Sequence, residues 1–268
     1  MNVTTAVPAR QIPRPPADQA LDTARADLDA TLALLRSLDA ADWRRPTACT
    51  GWTVHDVVAH LIGQCEEWAR PDRMIRRIRR ARRSGHAGLL DRHNQLQLQD
   101  RADTGDQQLI TELEQWAGKG LRAVRRIPAP LRRWMRLSLI FPEEAKLLPE
   151  DSLDYLVRVL VARDCWMHRL DIAAATVREA TVGRHDARVV EQVIHDLALA
   201  WNGPAITLDL SGPAGGCWAL GAGDPGATVR ADAVAFMRRL SGRPADETAS
   251  IDGDLAAGAA LLAMRIEF

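Results

Sequence analysis

The sequence has no apolar run approaching the roughly 20 residues that a membrane-spanning helix needs. Its opening stretch, MNVTTAVPARQIPRPPADQ, lacks the apolar centre of a secretory signal, so a cytoplasmic protein without a membrane partner is expected. Cysteine is scarce: Cys49, Cys65, Cys165 and Cys217 include no pair at CxxC spacing and form no dense framework, so structural disulfides are not expected. An excess of either charge is missing too. Lys and Arg number 35 and so do Asp and Glu, which removes any global field toward nucleic acid or a membrane surface. Tyrosine and phenylalanine are rare, at one and three, against eight tryptophans that read as structural core. Arg greatly outnumbers Lys and Ala is abundant, the signature of a GC-rich genome, without bearing on mechanism.

What is present is an ordinary globular composition, 47% hydrophobic over 268 residues, enough for one large domain or two smaller ones. Residues 1–17 are Pro-rich and polar and read as a flexible lead-in. From Asp18 the pattern is helical, with Leu21, Ala24, Leu28, Thr31, Leu32 and Leu35 on one face. Thr53 followed by Asp56 has the form of a capping box opening a second helix with Val57, Val58, Leu61, Ile62 and Trp68. A further helical region breaks near Gly105, prolines 128, 130, 142 and 149 mark an irregular connection, and residues 151–175 form another helix. The first 180 or so residues thus read as a bundle of four main helices. Near Gly183 the character changes. A helix from about Asp186 to Trp201 stops at Asn202-Gly203, then AITLDLSG, GCWALG and ATVRAD are strand candidates, and two short helices follow. The reading is a mostly α protein: a four-helix bundle over 18–182 and a small α+β domain over 183–268.

Chemistry concentrates in Arg163-Asp164-Cys165-Trp166-Met167-His168-Arg169-Leu170-Asp171. Asp164 and His168 are spaced i,i+4, which puts their side chains on one helix face about 5–6 Å apart at Cβ. Asp171 continues that face one turn on, among Leu153, Leu160, Val161, Ile172 and Ala175. Ionisable groups on a core-facing stripe need partners or a metal. Two readings fit: a buried Asp–His hydrogen bond, or two ligands of one cation. A third ligand has to come from another helix, and His60, in GWTVHDVVAHLIG, borders the apolar stripe of its own. Two imidazoles and a carboxylate leave open positions on Zn²⁺ or a similar ion, the pattern of a catalytic site.

The motif C-T-G-W-T-V-H-D-V-V-A-H-L, followed much later by R-D-x-W-x-H-R-x-D-I-A, resembles the mycothiol-dependent maleylpyruvate isomerase family, within the wider DinB-like metal-binding bundles. The resemblance spans about Leu21 to Thr176. The segment with LDLSGPAGGCW and FMRRLSGR is similar, more weakly, to the family's sterol-carrier-like C-terminal domain. The resemblance implies a DinB-like four-helix bundle with a divalent metal, zinc by default, held by His60, Asp164 and His168. It also implies mycothiol, a low-molecular-weight thiol of actinobacteria, as cosubstrate. The founding isomerase has Glu where this chain has Asp164, one methylene shorter. Coordination would deprotonate the thiol, whose addition to a small electrophile supports isomerisation or S-transfer. Asp171 would orient a metal-bound histidine or the cosubstrate, or else pair with Arg163 or Arg169. Arg243 matches a functional arginine of the family's C-terminal domain and suits a carboxylate-bearing substrate. Two rivals remain: a metal-dependent hydrolase using water, and a non-catalytic small-ligand binding protein.

Other features read as structural. Arg70–Arg83 holds eight arginines but no interleaved aromatics, and the acidic 91–114 region can neutralise it, so no nucleic-acid partner is expected. Gly-rich PAGGCWALGAGDPG lacks the lysine of a phosphate loop and reads as hairpin turns. Cys165 points about 100° away from Asp164 around the helix. Cys49 and Cys65 lie near the His60 motif without an evident activating base. His55 reads as exposed, and His86, His93, His185 and His195 have no partner at ligand spacing.

Overall fold

The helical periodicities become helices at the expected places in the computed structural model, which describes residues 6–84, 88–180, 182–244 and 249–268. Two units separate: Pro16–Thr181, and Val182–Phe268 with the described residues before Pro16.

In the first unit, α1 (Ala17–Leu35) buries Leu21, Ala24, Leu28, Leu32 and Leu35. Helix α2 (Val54–Ala69) opens on the capping box: the Thr53 hydroxyl accepts from the Asp56 N–H, and the Asp56 carboxylate accepts the Thr53 N–H at 2.9 Å. Helices α3 (Pro71–Arg83) and α4 (Leu89–Gln99) pack on each other beside α2, and α5 (Asp106–Arg125) runs against it. Gly120 of α5 sets that approach, because a Cβ there would lie 2.4 Å from the Cys65 carbonyl oxygen. The Pro-punctuated connection holds short α6 (Ala129–Trp134) and α7 (Pro142–Ala145). After α8 (Leu153–Tyr155), a π-helical turn at Leu156–Leu160 leads into α9 (Val161–Ala175). Helices α1, α2, α5 and α9 form the four-helix bundle: α2 packs on α5 and α9, and α1 on α5 and α9.

The π turn is a departure from the uniform helix expected over 151–175. The extra residue per turn rotates the buried face, so Tyr155, Val157 and Val159 are buried while Leu153, Leu156 and Leu160 are only half-buried. Beyond it α9 is buried nearly all round, including Trp166, Met167, Leu170 and Ile172. Its rotation is fixed from behind by Arg169, whose Nε donates to Asp27 of α1 at 2.8 Å with both side chains buried. His168, the preceding residue, faces α2 instead.

The second unit is a five-stranded mixed sheet with helices. β1 (Val7–Pro8), β2 (Ile206–Ser211), β3 (Gly216–Leu220), β4 (Ala227–Asp232) and β5 (Ser250–Gly253) lie in the order β1-β3-β2-β4-β5. β2 pairs antiparallel with β3 and parallel with β4, so Leu208 stands between Trp218 and Val229. Alternation in β2 buries Ile206, Leu208 and Leu210 on the face that α11 (Ala233–Leu240) covers with Phe236 and Met237. The unit also contains α10 (Arg184–Ala200) and α12 (Leu255–Leu262).

The segment expected as a flexible lead-in over 1–17 has a fixed place where it is described. Val7–Pro8 add a parallel strand to β3, Arg10 and Arg14 bond Ala198 and Asp196 of α10, and α1 already begins at Ala17. Proline removes a donor but leaves the carbonyls and neighbouring residues free to pair, so Pro-richness did not prevent an edge strand.

Candidate metal centre

Local structure delivers each site residue separately. Between α1 and α2 the chain folds back on itself: Thr47 N–H donates to the Trp52 carbonyl at 2.9 Å, and Trp52 N–H donates to Cys49 at 2.9 Å. Gly51 turns the corner at φ +79°, a left-handed conformation that favours glycine. This loop sets Cys49 and Trp52 at the start of α2. His60 follows on α2 and is buried, with 3% of its surface exposed. Asp164 and His168 face it from α9.

The three predicted donors converge. Ligand atoms of His60, Asp164 and His168 all lie within 4.8 Å of one another. His168 Nε2 is 3.4 Å from Asp164 Oδ1, and His60 Nε2 is 3.9 Å from Asp164 Oδ2. The imidazoles meet edge to face with centroids 5.1 Å apart, and Trp52 closes one side at 5.1 Å from His60 and 6.1 Å from His168. Outside this core, Asp171 Oδ2 sits 3.3 Å from His168 Nδ1 and accepts from the Cys49 thiol at 3.4 Å.

The donor set fits a divalent cation. Asp164 Oδ2 is buried without a hydrogen-bond partner, an expensive state for a carboxylate oxygen unless a positive charge meets it. Each imidazole is also held at its far nitrogen, His60 by Gln97 at 2.8 Å and His168 by Asp171, leaving both Nε2 atoms toward the carboxylate. Such outer contacts set ring orientation and proton position in metal-binding histidines.

Electrostatics of the bare site agree. Burial alone would raise the Asp164 pKa, but His168 and His60 hold it far below the ordinary carboxylate range. Burial would lower His168, yet Asp164, Asp171 and Cys49 hold it well above the ordinary histidine value. Both shifts favour the charged form of each partner, carboxylate and imidazolium. The other thiols near α2 and α9 are inert by the same physics. Burial pushes Cys65 up to about 12, and it drives Cys165 well above the usual thiol value.

Some expectations change. Cys49, expected to lack a basic neighbour, lies 3.8 Å from His168 Nδ1 as well as against Asp171. Asp171 Oδ2 lies against His168 Nδ1 and the Cys49 thiol, and Arg169 Nε donates to Asp27. His55 is half-buried rather than exposed, its Nε2 3.0 Å from the Thr104 carbonyl. His93 is buried, with Nε2 3.0 Å from Glu67, and His185 Nε2 is 3.3 Å from Asp186. His86 lies outside the described residues. Trp134 is 75% exposed, an exception to the tryptophans expected in the core. All four cysteines are free, and no described helix is long and apolar enough to cross a membrane. Arg243 lies in the second unit, past α11, its N–H bonded to the Arg238 carbonyl at 2.9 Å. Trp52, Gln64 and Gln97 were not singled out from the sequence. Trp52 stands eight residues before His60, beyond any helical spacing rule, and Gln97 comes from another helix.

The family model of the mycothiol maleylpyruvate isomerase N-terminal domain matches residues 21–173. Among solved structures, the chain is similar to the crystal structure of the mycothiol-dependent maleylpyruvate isomerase. The identity is 16% and the TM-score 0.57, over 88% of this chain and 93% of that one. A histidine-to-alanine mutant of the mycothiol-dependent maleylpyruvate isomerase gives 15% identity and a TM-score of 0.55 over the same shares. At this identity the structural likeness is one of fold. No curated protein matches the sequence.

Proposed function

The chain belongs to the mycothiol maleylpyruvate isomerase family, and from that premise we propose that it is a metal-dependent enzyme using a low-molecular-weight thiol, mycothiol, as nucleophile. The thiol adds to a small electrophile, and the adduct either eliminates the thiol after bond rotation, an isomerisation, or is released, an S-transfer. The observation that carries the reading is the convergence of His60, Asp164 and His168 around a buried carboxylate oxygen with no hydrogen-bond partner.

His60 Nε2, His168 Nε2 and the Asp164 carboxylate are the groups that would hold the cation. When bound, a divalent ion with an open position supplies Lewis acidity, lowering the pKa of a thiol so that thiolate is available at neutral pH. The protein's own groups do the rest. Asp171 accepts the His168 Nδ1 proton and keeps that ring turned to Asp164. Trp52 covers one flank of both imidazoles and excludes water there. The Cys49 thiol donates to Asp171 and so steadies the carboxylate that orients His168. Arg243 is assigned recognition of a substrate carboxylate, on the resemblance. A cytoplasmic location fits a thiol cosubstrate kept reduced.

The test is metal analysis of the purified protein, then turnover of candidate unsaturated acids with and without mycothiol. Zinc or another divalent ion at one per chain, with thiol-dependent turnover, is expected. Turnover without thiol would point to water as the nucleophile, and a metal-free, inactive protein would leave only a binding role.

A further inference from the structure

The metal centre connects to a buried ionic cluster two turns along α2 through one side chain, Gln97 of α4, which is 1% exposed. Its amide nitrogen donates to Glu67 Oε2 at 3.1 Å, and its Oε1 lies 2.8 Å from His60 Nδ1. Glu67 is the anchor. Burial alone would raise its pKa, but His93 at 3.0 Å and Arg77 at 2.8 Å bring it below the ordinary carboxylate value. An ionised carboxylate can only accept hydrogen bonds, so the Gln97 group facing it must be the NH₂. The other end of Gln97 is then a carbonyl, which also only accepts, so His60 Nδ1 must carry a proton. In a neutral imidazole the lone pair is then on Nε2, the nitrogen facing Asp164.

One further contact agrees with this polarity, and one close approach explains the placement of Gln97. The Gln64 amide nitrogen lies 2.8 Å from His60 Nε2, a donor meeting a lone pair. Gly63 makes room for the arrangement: a Cβ at that position would fall 2.7 Å from Cβ and Cγ of Gln97. The α2 surface is bare where Gln97 crosses it.

We infer that Gln97 is a positioning residue for the metal centre, locking His60 in the tautomer protonated on Nδ1 and so keeping a lone pair on Nε2, which the Gln64 amide meets in the metal-free chain and a cation would take over from it. The role in metal binding rests on the metal reading above, whereas the tautomer itself is a property of the metal-free chain. Glu67 and Arg77 act through Gln97 and contact no ligand of the centre directly.

The experiment uses the full-length, metal-free, ¹⁵N-labelled protein at pH about 8, above the usual histidine range. Long-range ¹H–¹⁵N correlations report the tautomer, with His60 assigned by the signals lost in His60→Ala. The expected pattern is a protonated Nδ1 and a lone-pair Nε2. In Gln97→Met the pattern should shift toward Nε2–H, and zinc affinity, read by competition with a chromogenic chelator, should fall roughly 10- to 100-fold with helix content unchanged. Gly63→Ala, which displaces Gln97 without removing its amide, should move both readouts the same way. A wild type whose His60 is protonated on Nε2 overturns the inference whether or not the variants fold. So does a folded Gln97→Met protein with unchanged tautomer and zinc affinity. A wild type with the Nδ1–H pattern that binds no zinc refutes the metal reading while upholding the tautomer lock.

Discussion

Helix α2 contributes to two buried polar clusters, and their difference separates a site from a scaffold. Around Glu66 and Glu67 every carboxylate oxygen has a protein partner. Glu66 meets Arg73 and Arg77, each at 2.7 Å, and Glu67 meets Arg77 at 2.8 Å and Gln97 at 3.1 Å. Two turns earlier, His60 faces Asp164 and His168, acceptor lone pairs dominate, and one carboxylate oxygen is left without a hydrogen bond. Both clusters are buried and both are ionisable. One is balanced by arginines, while in the other two imidazoles face a carboxylate with one oxygen that no hydrogen bond meets. Counting charges does not distinguish them; the hydrogen bonding of their carboxylate oxygens does.

The comparison can be broken most directly at Arg77. Arg77→Met removes the cation that bridges buried Glu66 and Glu67 and should destabilise the fold by about 3–5 kcal/mol, measured by denaturant unfolding. A loss under about 1 kcal/mol would mean that the cluster is no better than a surface ion pair. At the other cluster, His60→Ala and His168→Ala should lose the ligand-induced stabilisation instead. Wild-type protein with zinc at 100 times its Kd should gain about 2.7 kcal/mol, and the variants little or none. Equal zinc-induced shifts in melting temperature would remove these histidines from the site.

The pH response sharpens the contrast. In the metal-free chain Asp164 sits below its ordinary 3.8, so its contribution is present above that value and lost as pH falls through the lowered one. His168 sits above its ordinary 6.5, so its contribution is present below that value and lost as pH rises through the raised one. The pair therefore stabilises the metal-free protein most between pH about 4 and 6.5. Zinc must displace the His168 proton, so its affinity should climb from pH about 6 to 8, and a flat profile in chelator competition would contradict this. The smallest effect is expected from Asp164→Glu, which installs the carboxylate of the family's founding isomerase. Both lengths can reach a shared ion, so zinc affinity should change by less than about tenfold; loss of binding would mean that the shorter side chain is required.

Much of this was legible in the sequence because it is written in local periodicity. The Thr53 capping box, the i,i+4 spacing of Asp164 and His168 and the alternation in β2 each need only a few neighbouring residues. What escaped was non-local. Val7–Pro8 join the sheet by pairing with Trp218 and Ala219, about two hundred residues away, and no local pattern announces that. The π turn at Leu156–Leu160 altered which leucines are buried without changing the apolar count. Cys49 gained its neighbours, and His93 its carboxylate, only when other helices arrived.

By itself the sequence determined which residues are helical, where the bundle gives way to strands, and which side chains share a face of α9, because backbone geometry fixes those relations over one or two turns. Only the tertiary structure decided that His60 reaches Asp164, that Asp171 turns to His168 while Arg169 turns to Asp27, and that Gln97 joins Glu67 to His60. Those relations depend on close approaches, Gly120 on Cys65 and Gly63 under Gln97, that exist only once the helices are packed and each buried polar atom has to find a partner.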